Sequence, residues 1–350
     1  MEKLFKLIRP FVHGLPPEMA HNLGLRVLRH GCLPPARAGA FPSLEIEAFG
    51  LHFKNPIGLA AGFDKNAVAI NALLAQGFGF VEAGTVTPLP QPGNPKPRIF
   101  RLRRDEAVIN RLGFNNRGLE YFVKHFTRRD KSKGIAGANI GRNKNSDDAV
   151  ADYITGLRTV SPHADYVTVN ISSPNTQGLR ALQQRDALTE LLSALQQERN
   201  NNVPLLLKIA PDLDDAEMEA VAEVVLAHHI NGVIISNTTI SRPESLIGKH
   251  AAQIGGLSGR PLFDLSTARL KRFYRITNGK IPLVGVGGIS SAHDAYIKIR
   301  AGATLVQLYS ALVYNGFGIV QDIQRGLAAL LARDGFTHVG QAVGADATMR

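Results

Sequence analysis

The chain has 350 residues, 44% of them hydrophobic, and its 40 Lys+Arg against 29 Asp+Glu give a formal charge of +11. This is apolar content enough for one large α/β domain with an appendage or for two ordinary domains, and the positive excess suits acidic small molecules, anionic lipid or nucleic acid. A single cysteine, Cys32, excludes an intrachain disulfide framework or a thiolate metal cluster and points to a reducing compartment; with no run of 18 apolar residues and no secretory signal pattern, neither a membrane span nor export is expected.

Residues 1–40 carry two amphipathic helical patterns. Leu4, Leu7, Ile8 and Phe11 recur at i, i+3, i+4 and i+7, with Lys3, Lys6 and Arg9 on other faces. Pro17 and Glu18 open a second helix whose stripe is Met19, Ala20, Leu23, Val27 and Leu28 beside Arg26 and Arg29, and Gly31 stops it. With Arg37, the basic residues here far outnumber Glu2 and Glu18. Such a pair either docks on its own domain or lies, apolar face uncovered, on an anionic lipid surface. Pro34-Pro35 and Gly39 form a linker, so residues 1–40 are expected to be an extension to a domain of residues 41–350.

From Asn55 onward short apolar runs alternate with helical patterns. Strands are predicted at 57–61, 80–85, 135–140, 166–171, 205–209, 232–236, 283–286 and 305–308. Helices are predicted around 67–75, 119–126, 147–160, 187–198, 214–228, 266–277, 291–301 and 317–331. Eight βα units over this length predict a closed (β/α)8 TIM barrel with a small N-terminal helical extension rather than an open doubly wound sheet. The two longest polar insertions, 88–116 and 239–264, follow strand C-termini, the face on which barrel enzymes carry their sites.

The strand exits form a set. They are Gly62-Phe63-Asp64-Lys65-Asn66, Thr85-Val86-Thr87, Asn139 with Gly141, the run 170–175, Lys208, Ser236-Asn237-Thr238-Thr239, Gly285-Val286-Gly287-Gly288 and Tyr309-Ser310. Nearly all end in amide, hydroxyl, lysine or glycine, and Asp64 is the one carboxylate, so the rim suits something anionic, planar and oxygen-rich. Taken singly, each reads as well as a turn or helix cap. The densest exit is Asn170-Ile171-Ser172-Ser173-Pro174-Asn175-Thr176-Gln177-Gly178, where amides surround a hydroxyl and Pro174 biases Ser173 towards an extended conformation.

Val284-Gly285-Val286-Gly287-Gly288-Ile289-Ser290 begins the seventh strand and has serine where a dinucleotide fingerprint wants glycine or alanine; glycines after strand seven near Tyr309-Ser310 instead suit a barrel phosphate cradle. No metal site is expected, since His228-His229 lack flanking carboxylates. Nucleic acid is not an expected partner: tryptophan is absent and no basic run is interleaved with stacking residues.

The runs Gly58 to Asn66, Gln91-Pro92-Gly93-Asn94-Pro95-Lys96-Pro97-Arg98, Ile109-Asn110-Arg111-Leu112-Gly113-Phe114-Asn115-Asn116, Asn170 to Thr176, Gly255-Gly256-Leu257-Ser258-Gly259-Arg260-Pro261 and Gly285 to Ile289 together closely resemble dihydroorotate dehydrogenase, over essentially the whole chain. The resemblance is to class 2, the quinone-dependent type, which carries an N-terminal helical extension and a catalytic serine; class 1 uses cysteine there, and Cys32 lies far away in the extension. It implies one FMN per chain, oxidation of dihydroorotate to orotate in pyrimidine (UMP) synthesis, and delivery of electrons to a membrane quinone by a monomer held peripherally at the cytoplasmic face of the inner membrane on an anionic lipid surface. The runner-up is an FMN barrel oxidising another small acid.

By position, the resemblance implies Ser173 as the base, with Thr176 and Phe114 as relay and gate. Implied substrate contacts are Lys65, Asn110, Arg111, Leu112, Gly113, Phe114, Asn170, Asn175, Asn237 and Thr238. Implied FMN contacts are Ala61, Gly62, Phe63, Asp64, Lys65, Thr85, Asn139, Asn170, Lys208, Ser236, Gly259, Gly288, Tyr309 and Ser310, with Ser236 where threonine is also common. The helical pair would line a quinone tunnel with His21 and Arg101 as candidate contacts for the quinone head, and residues 172–186 would form a lid.

Overall fold

The computed structural model describes residues 2–36, 39–199 and 203–347, with the side chains of residues 2–4 and 6 excepted. The expected roles of Glu2, Lys3, Leu4 and Lys6 in the first helix, and of Arg37 in the linker, therefore lie outside the described residues. The chain opens with α1 (Glu2–Gly14) and α2 (Pro17–Arg29), then a hairpin of β1 (Ile46–Ala48) and β2 (Leu51–Phe53). The alternating part runs β3 (Ile57–Leu59), α3 (Ile70–Leu74), β4 (Phe80–Val86), β5 (Ile99–Leu102), β6 (Ala107–Asn110), α4 (Gly118–Phe126), β7 (Ile135–Ile140), α5 (Ala149–Val160), β8 (Tyr166–Asn170) and α6 (Arg185–Glu198). It continues with β9 (Leu205–Ile209), α7 (Asp215–Ala227), β10 (Gly232–Ile235), β11 (Gly256–Gly259), α8 (Phe263–Ile276), β12 (Leu283–Val286), α9 (Ala292–Arg300), β13 (Ala303–Leu308), α10 (Ser310–Asn315), α11 (Gly318–Arg333) and α12 (Val339–Ala342).

All eight predicted barrel strands form. They close in the order β3-β4-β7-β8-β9-β10-β12-β13, with β13 pairing parallel to β3. Their near-continuous apolar runs are explained by burial on both faces. Inside, small residues make room for large ones. A Cβ on Gly58 would lie 2.2 Å from the Phe80 ring, and one on Gly137 would lie 2.1 Å from the Tyr166 ring. The β1–β2 hairpin lies against these rings, with Phe53 stacked edge-on against Phe80 at 5.3 Å and Phe49 at 6.5 Å from Tyr166.

Two features were not expected. One is that hairpin. The other is a three-stranded antiparallel sheet, β5-β6-β11, which unites the insertions 88–116 and 239–264. Its small core is Phe100, Leu102, Ala107, Ile109 and Leu257. The insertions are thus one wall of the barrel mouth rather than two polar loops.

That wall also holds the helical pair. The Arg98 guanidinium pairs bidentately with Glu18 of α2 at 2.7 and 3.2 Å, the planar geometry that gives such pairs both strength and direction. Arg101 donates to Val12 O at 3.1 Å and to Leu15 O, and Arg103 donates to His13 O, satisfying carbonyls that the end of α1 leaves without helical partners. The apolar stripes are only partly covered: Leu28 is buried, while Leu7 is 78% and Phe11 71% exposed. No helix of the described residues is long and apolar enough to cross a membrane.

Candidate active site

A cavity of about 450 Å³ occupies the C-terminal mouth of the barrel and extends beneath α1 and α2. Its floor is a row of amides. Asn139 donates through Nδ2 to Glu82 Oε1 at 2.7 Å, which directs its Oδ1 to Thr85 Oγ1 (2.5 Å) and Asn170 Nδ2 (3.1 Å). Asn170 then presents its own Oδ1 to Ser172 Oγ at 3.0 Å and to Asn237 Nδ2 at 3.3 Å. Glu82 is fully buried and accepts also from Tyr166, Thr168 and Gln307. A buried carboxylate surrounded by donors fixes the orientation of every amide above it.

Ser173, nearly buried, lies in the loop after β8, and its Oγ accepts from Asn175 N at 3.3 Å. Asn175 Nδ2 reaches Asn110 Oδ1 at 3.4 Å, joining this loop to β6. Arg180 fastens the far end of the loop: it donates to Ser172 O at 3.0 Å and Thr238 O at 2.9 Å while paired with Asp212 at 2.8 Å. Phe114 adopts φ +52 after Gly113 at φ +68, and Gly141 lets the Phe114 ring approach, since a Cβ there would lie 3.1 Å from it. The hydroxyls of Thr176 and Thr238 are buried without a hydrogen-bond partner among the described residues.

Two lysines enter the cavity. Burial pushes Lys65 down to about 8, with the charge of Arg98 adding to the effect, and its Nζ donates to Gly62 O at 2.9 Å. Burial also lowers Lys208, opposed by the nearby charge of Glu82, and the Lys208 side chain makes no hydrogen bond to the described residues. At the other end His21 is pushed down to about 3 by burial and sits edge-on to Phe63 at 5.2 Å, a neutral ring in an apolar wall.

The cavity collects most of the expected residues. Ser173, Lys65, Asn110, Leu112, Gly113 and Phe114 line it, as do Asn170, Asn175, Asn237 and Thr238. So do Ala61, Gly62, Phe63, Thr85, Lys208, Ser236, Gly259, Gly288, Tyr309 and Ser310, and at the helical end His21 and Arg101. Four stand outside the wall, the expected relay Thr176 among them. The Asp64 carboxylate turns away to accept from Val68 N at 3.0 Å and Ala69 N at 2.7 Å, which makes it a turn cap. Arg111 lies over the Phe100 ring and donates to Gln253 Oε1 at 2.9 Å. Asn139 lies one layer below, acting on the wall through Thr85 and Asn170. Sequence reasoning passed over Glu82, whose one carboxylate within an apolar strand was the available signal, and assigned no role to Arg98, Arg103 or Arg180, whose partners are distant in sequence.

The dihydroorotate dehydrogenase family model matches residues 43–331. The chain is 56% identical over 346 residues to the dihydroorotate dehydrogenase (quinone) of Parvibaculum lavamentivorans, covering 99% of both chains. It is 54% identical to the protein of the same name from Azorhizobium caulinodans, over 98% of this chain and 99% of that one. Among solved structures it is similar to the Eimeria tenella DHODH in complex with ferulenol, with a TM-score of 0.91, 41% identity and coverage of 96% of this chain and 98% of that one. With the barrel, the amide-floored cavity and these likenesses in place, the chain belongs to the dihydroorotate dehydrogenase family, in its quinone-dependent class.

Proposed function

We propose that the protein oxidises dihydroorotate to orotate for pyrimidine biosynthesis and passes the electrons to a membrane quinone. The observation that carries this reading is the continuity of one cavity from the Ser173 loop to the uncovered apolar helices, which lets a water-soluble acid and a lipid-soluble acceptor approach from different sides. FMN fits the middle of the cavity. Lys208 offers a side chain with no hydrogen bond among the described residues, and Gly287 and Gly288, at φ +113 and +77, form a loop in which a Cβ on Gly288 would meet Phe263 at 2.5 Å. When bound, FMN supplies the hydride acceptor.

The remaining work falls to the chain. Asn110, Asn175 and Asn237 offer donors and acceptors matched to the carbonyls and N–H groups of a uracil-like ring, and Lys65 offers charge to its carboxylate. Ser173 Oγ takes the C5 proton as the C6 hydride leaves and sheds its own hydroxyl proton; Thr176, whose buried hydroxyl has no partner among the described residues, serves as relay by accepting that proton while releasing its own towards solvent. Phe114 covers the ring and helps exclude water.

Residues 1–40 act as the quinone entrance and lipid contact, and residues 41–350 as the catalytic barrel. Burial keeps His21 neutral, so it serves the quinone as a hydrogen-bonding ring rather than as a cation. Arg101, whose donors go to Val12 O in α1 and to Leu15 O just beyond it, serves chiefly to hold the end of that helix. The uncovered Leu7 and Phe11 suit a monomer attached peripherally at the cytoplasmic face of the membrane, on anionic lipid. The purified protein should be yellow, bleach anaerobically with dihydroorotate and recolour with a short-chain quinone. A colourless protein unable to take up FMN, or a yellow one that dihydroorotate leaves oxidised, would overturn the reading.

A further inference from the structure

Behind the Gly287–Gly288 loop lies a buried lysine to which the reaction assigns no task. Lys298, in α9, is completely buried. Among the described residues no carboxylate pairs with it; its Nζ donates instead to Ser266 Oγ at 2.8 Å and Thr267 Oγ1 at 2.9 Å, 5.0 Å from the centroid of the Phe263 ring. Burial pushes Lys298 down to about 7, opposed by the charges of Asp294 and Asp264, and a lysine this deep is unfavourable unless its surroundings use its donors.

The hydroxyl protons show where it acts. Ser266 Oγ has two carbonyls within reach, Phe263 O at 3.1 Å and Gly287 O at 3.2 Å, and because Phe263 O already accepts from Thr267 Oγ1 at 2.7 Å, Gly287 O is the acceptor left without another side-chain donor for the single proton of Ser266. Lys298 occupies a Ser266 lone pair and so orients that proton. In a trans peptide the C=O and N–H point in opposite directions. Holding Gly287 O against α8 therefore turns the Gly288 N–H to the other side, where Gly288 lines the cavity. This N–H has no hydrogen-bond partner among the described residues. The loop is seated directly on α8, since a Cβ on Gly287 would lie 2.7 Å from Ser266 Oγ.

We propose that Lys298, acting through Ser266, is a positioning residue that holds the Gly287–Gly288 peptide with its N–H presented to the phosphate of the flavin cofactor. This rests on the FMN reading above. It separates the phosphate end of the cofactor, which Lys298 serves, from the ring end, which it does not.

Riboflavin, which has the same ring and no phosphate, makes the test. Purified holoprotein is equilibrated with mixtures of FMN and riboflavin, and the bound flavins are released and quantified. Lys298→Met and Ser266→Ala should each lower the preference for FMN over riboflavin by about tenfold, the loss expected for one well-directed hydrogen bond to a charged group, with riboflavin retention unchanged. An unchanged preference, or an equal loss of both flavins, overturns the proposal. If Lys298→Met does not fold, Ser266→Ala, which removes one oxygen, carries the test alone. A parent protein that holds no flavin overturns the functional reading as well, whereas a parent that prefers FMN with unaltered variants overturns this proposal only.

Discussion

Glu82 and Asn139 meet at 2.7 Å beneath the cavity, and the direction of that one hydrogen bond sets the direction of those above it. Because the carboxylate can only accept, Asn139 must turn its amide nitrogen downward and its oxygen up towards Thr85 and Asn170. Glu82→Gln keeps the shape but places an NH₂ where every neighbour now donates and where at least the Asn139 and Gln307 amide nitrogens cannot accept. Urea unfolding should show a loss of about 2–4 kcal/mol, the range for disrupting buried charge-assisted hydrogen bonds. A loss below about 0.5 kcal/mol, the scatter of inconsequential substitutions, would mean that the floor does not depend on this charge.

Ser173→Ala removes the proposed base and little else, since the hydroxyl accepts one hydrogen bond from its own loop. Retained FMN and flavin reduction slower by roughly 10²–10⁴-fold are expected in anaerobic single-turnover experiments. Near-normal reduction would remove Ser173 from the mechanism.

Lys65 predicts a pH dependence of its own. Burial lowers it from the ordinary 10.5 to about 8, so between those values the unfolded chain carries a proton that the folded chain has lost. Stability therefore gains from this group as pH rises through that window, and the cost of burying the charge is fully felt below it. Binding runs the other way: a carboxylate ligand favours charged Lys65, so orotate affinity should fall as pH rises above about 8, by up to roughly tenfold per unit. Titration of the flavin absorbance with orotate at several pH values measures this, and a Lys65→Met variant should show a flat profile in the same range.

Leu7 and Phe11 are exposed enough for charge to be tolerated there by the fold. Leu7→Glu with Phe11→Glu should weaken sedimentation with vesicles containing anionic lipid by at least about tenfold, the area effect of two apolar side chains, while flavin reduction by dihydroorotate stays normal. Deleting residues 1–40 should abolish quinone reduction in membranes and leave flavin reduction by dihydroorotate. Undiminished quinone reduction after the deletion removes the tunnel assignment.

The barrel was readable because each of its strands is a self-contained apolar run buried on both faces, as in Leu205–Ile209. Most of the cavity wall followed, because a strand's C-terminus points its next residues into the mouth. The wall strands Ile99–Leu102 and Ala107–Asn110 alternate between buried and half-buried, a pattern too short to stand out. Their third partner, Gly256–Gly259, is half glycine and gains strand character only from pairing. Asp64 looked like part of the polar rim since residue type alone does not show which way a side chain turns; its carboxylate is taken by the N–H groups of Val68 and Ala69. The amide polarity begun at Glu82 links residues from several strands, and no local pattern encodes it.

The wall sheet makes the two insertions a single exchangeable part. Ser258 Oγ donates to Val108 O across 150 positions, and Gly255 and Gly259 approach Asn110 O and Glu106 O so closely that a Cβ on either would lie 2.4 Å away. The same sheet carries Arg101, which mounts α1, while Arg98 just before it mounts α2. A chimera that takes residues 88–116 from a relative but keeps its own 239–264 inherits half of a ladder and a displaced mounting for both helices. One that takes both segments transplants the substrate wall and the helix mounting together.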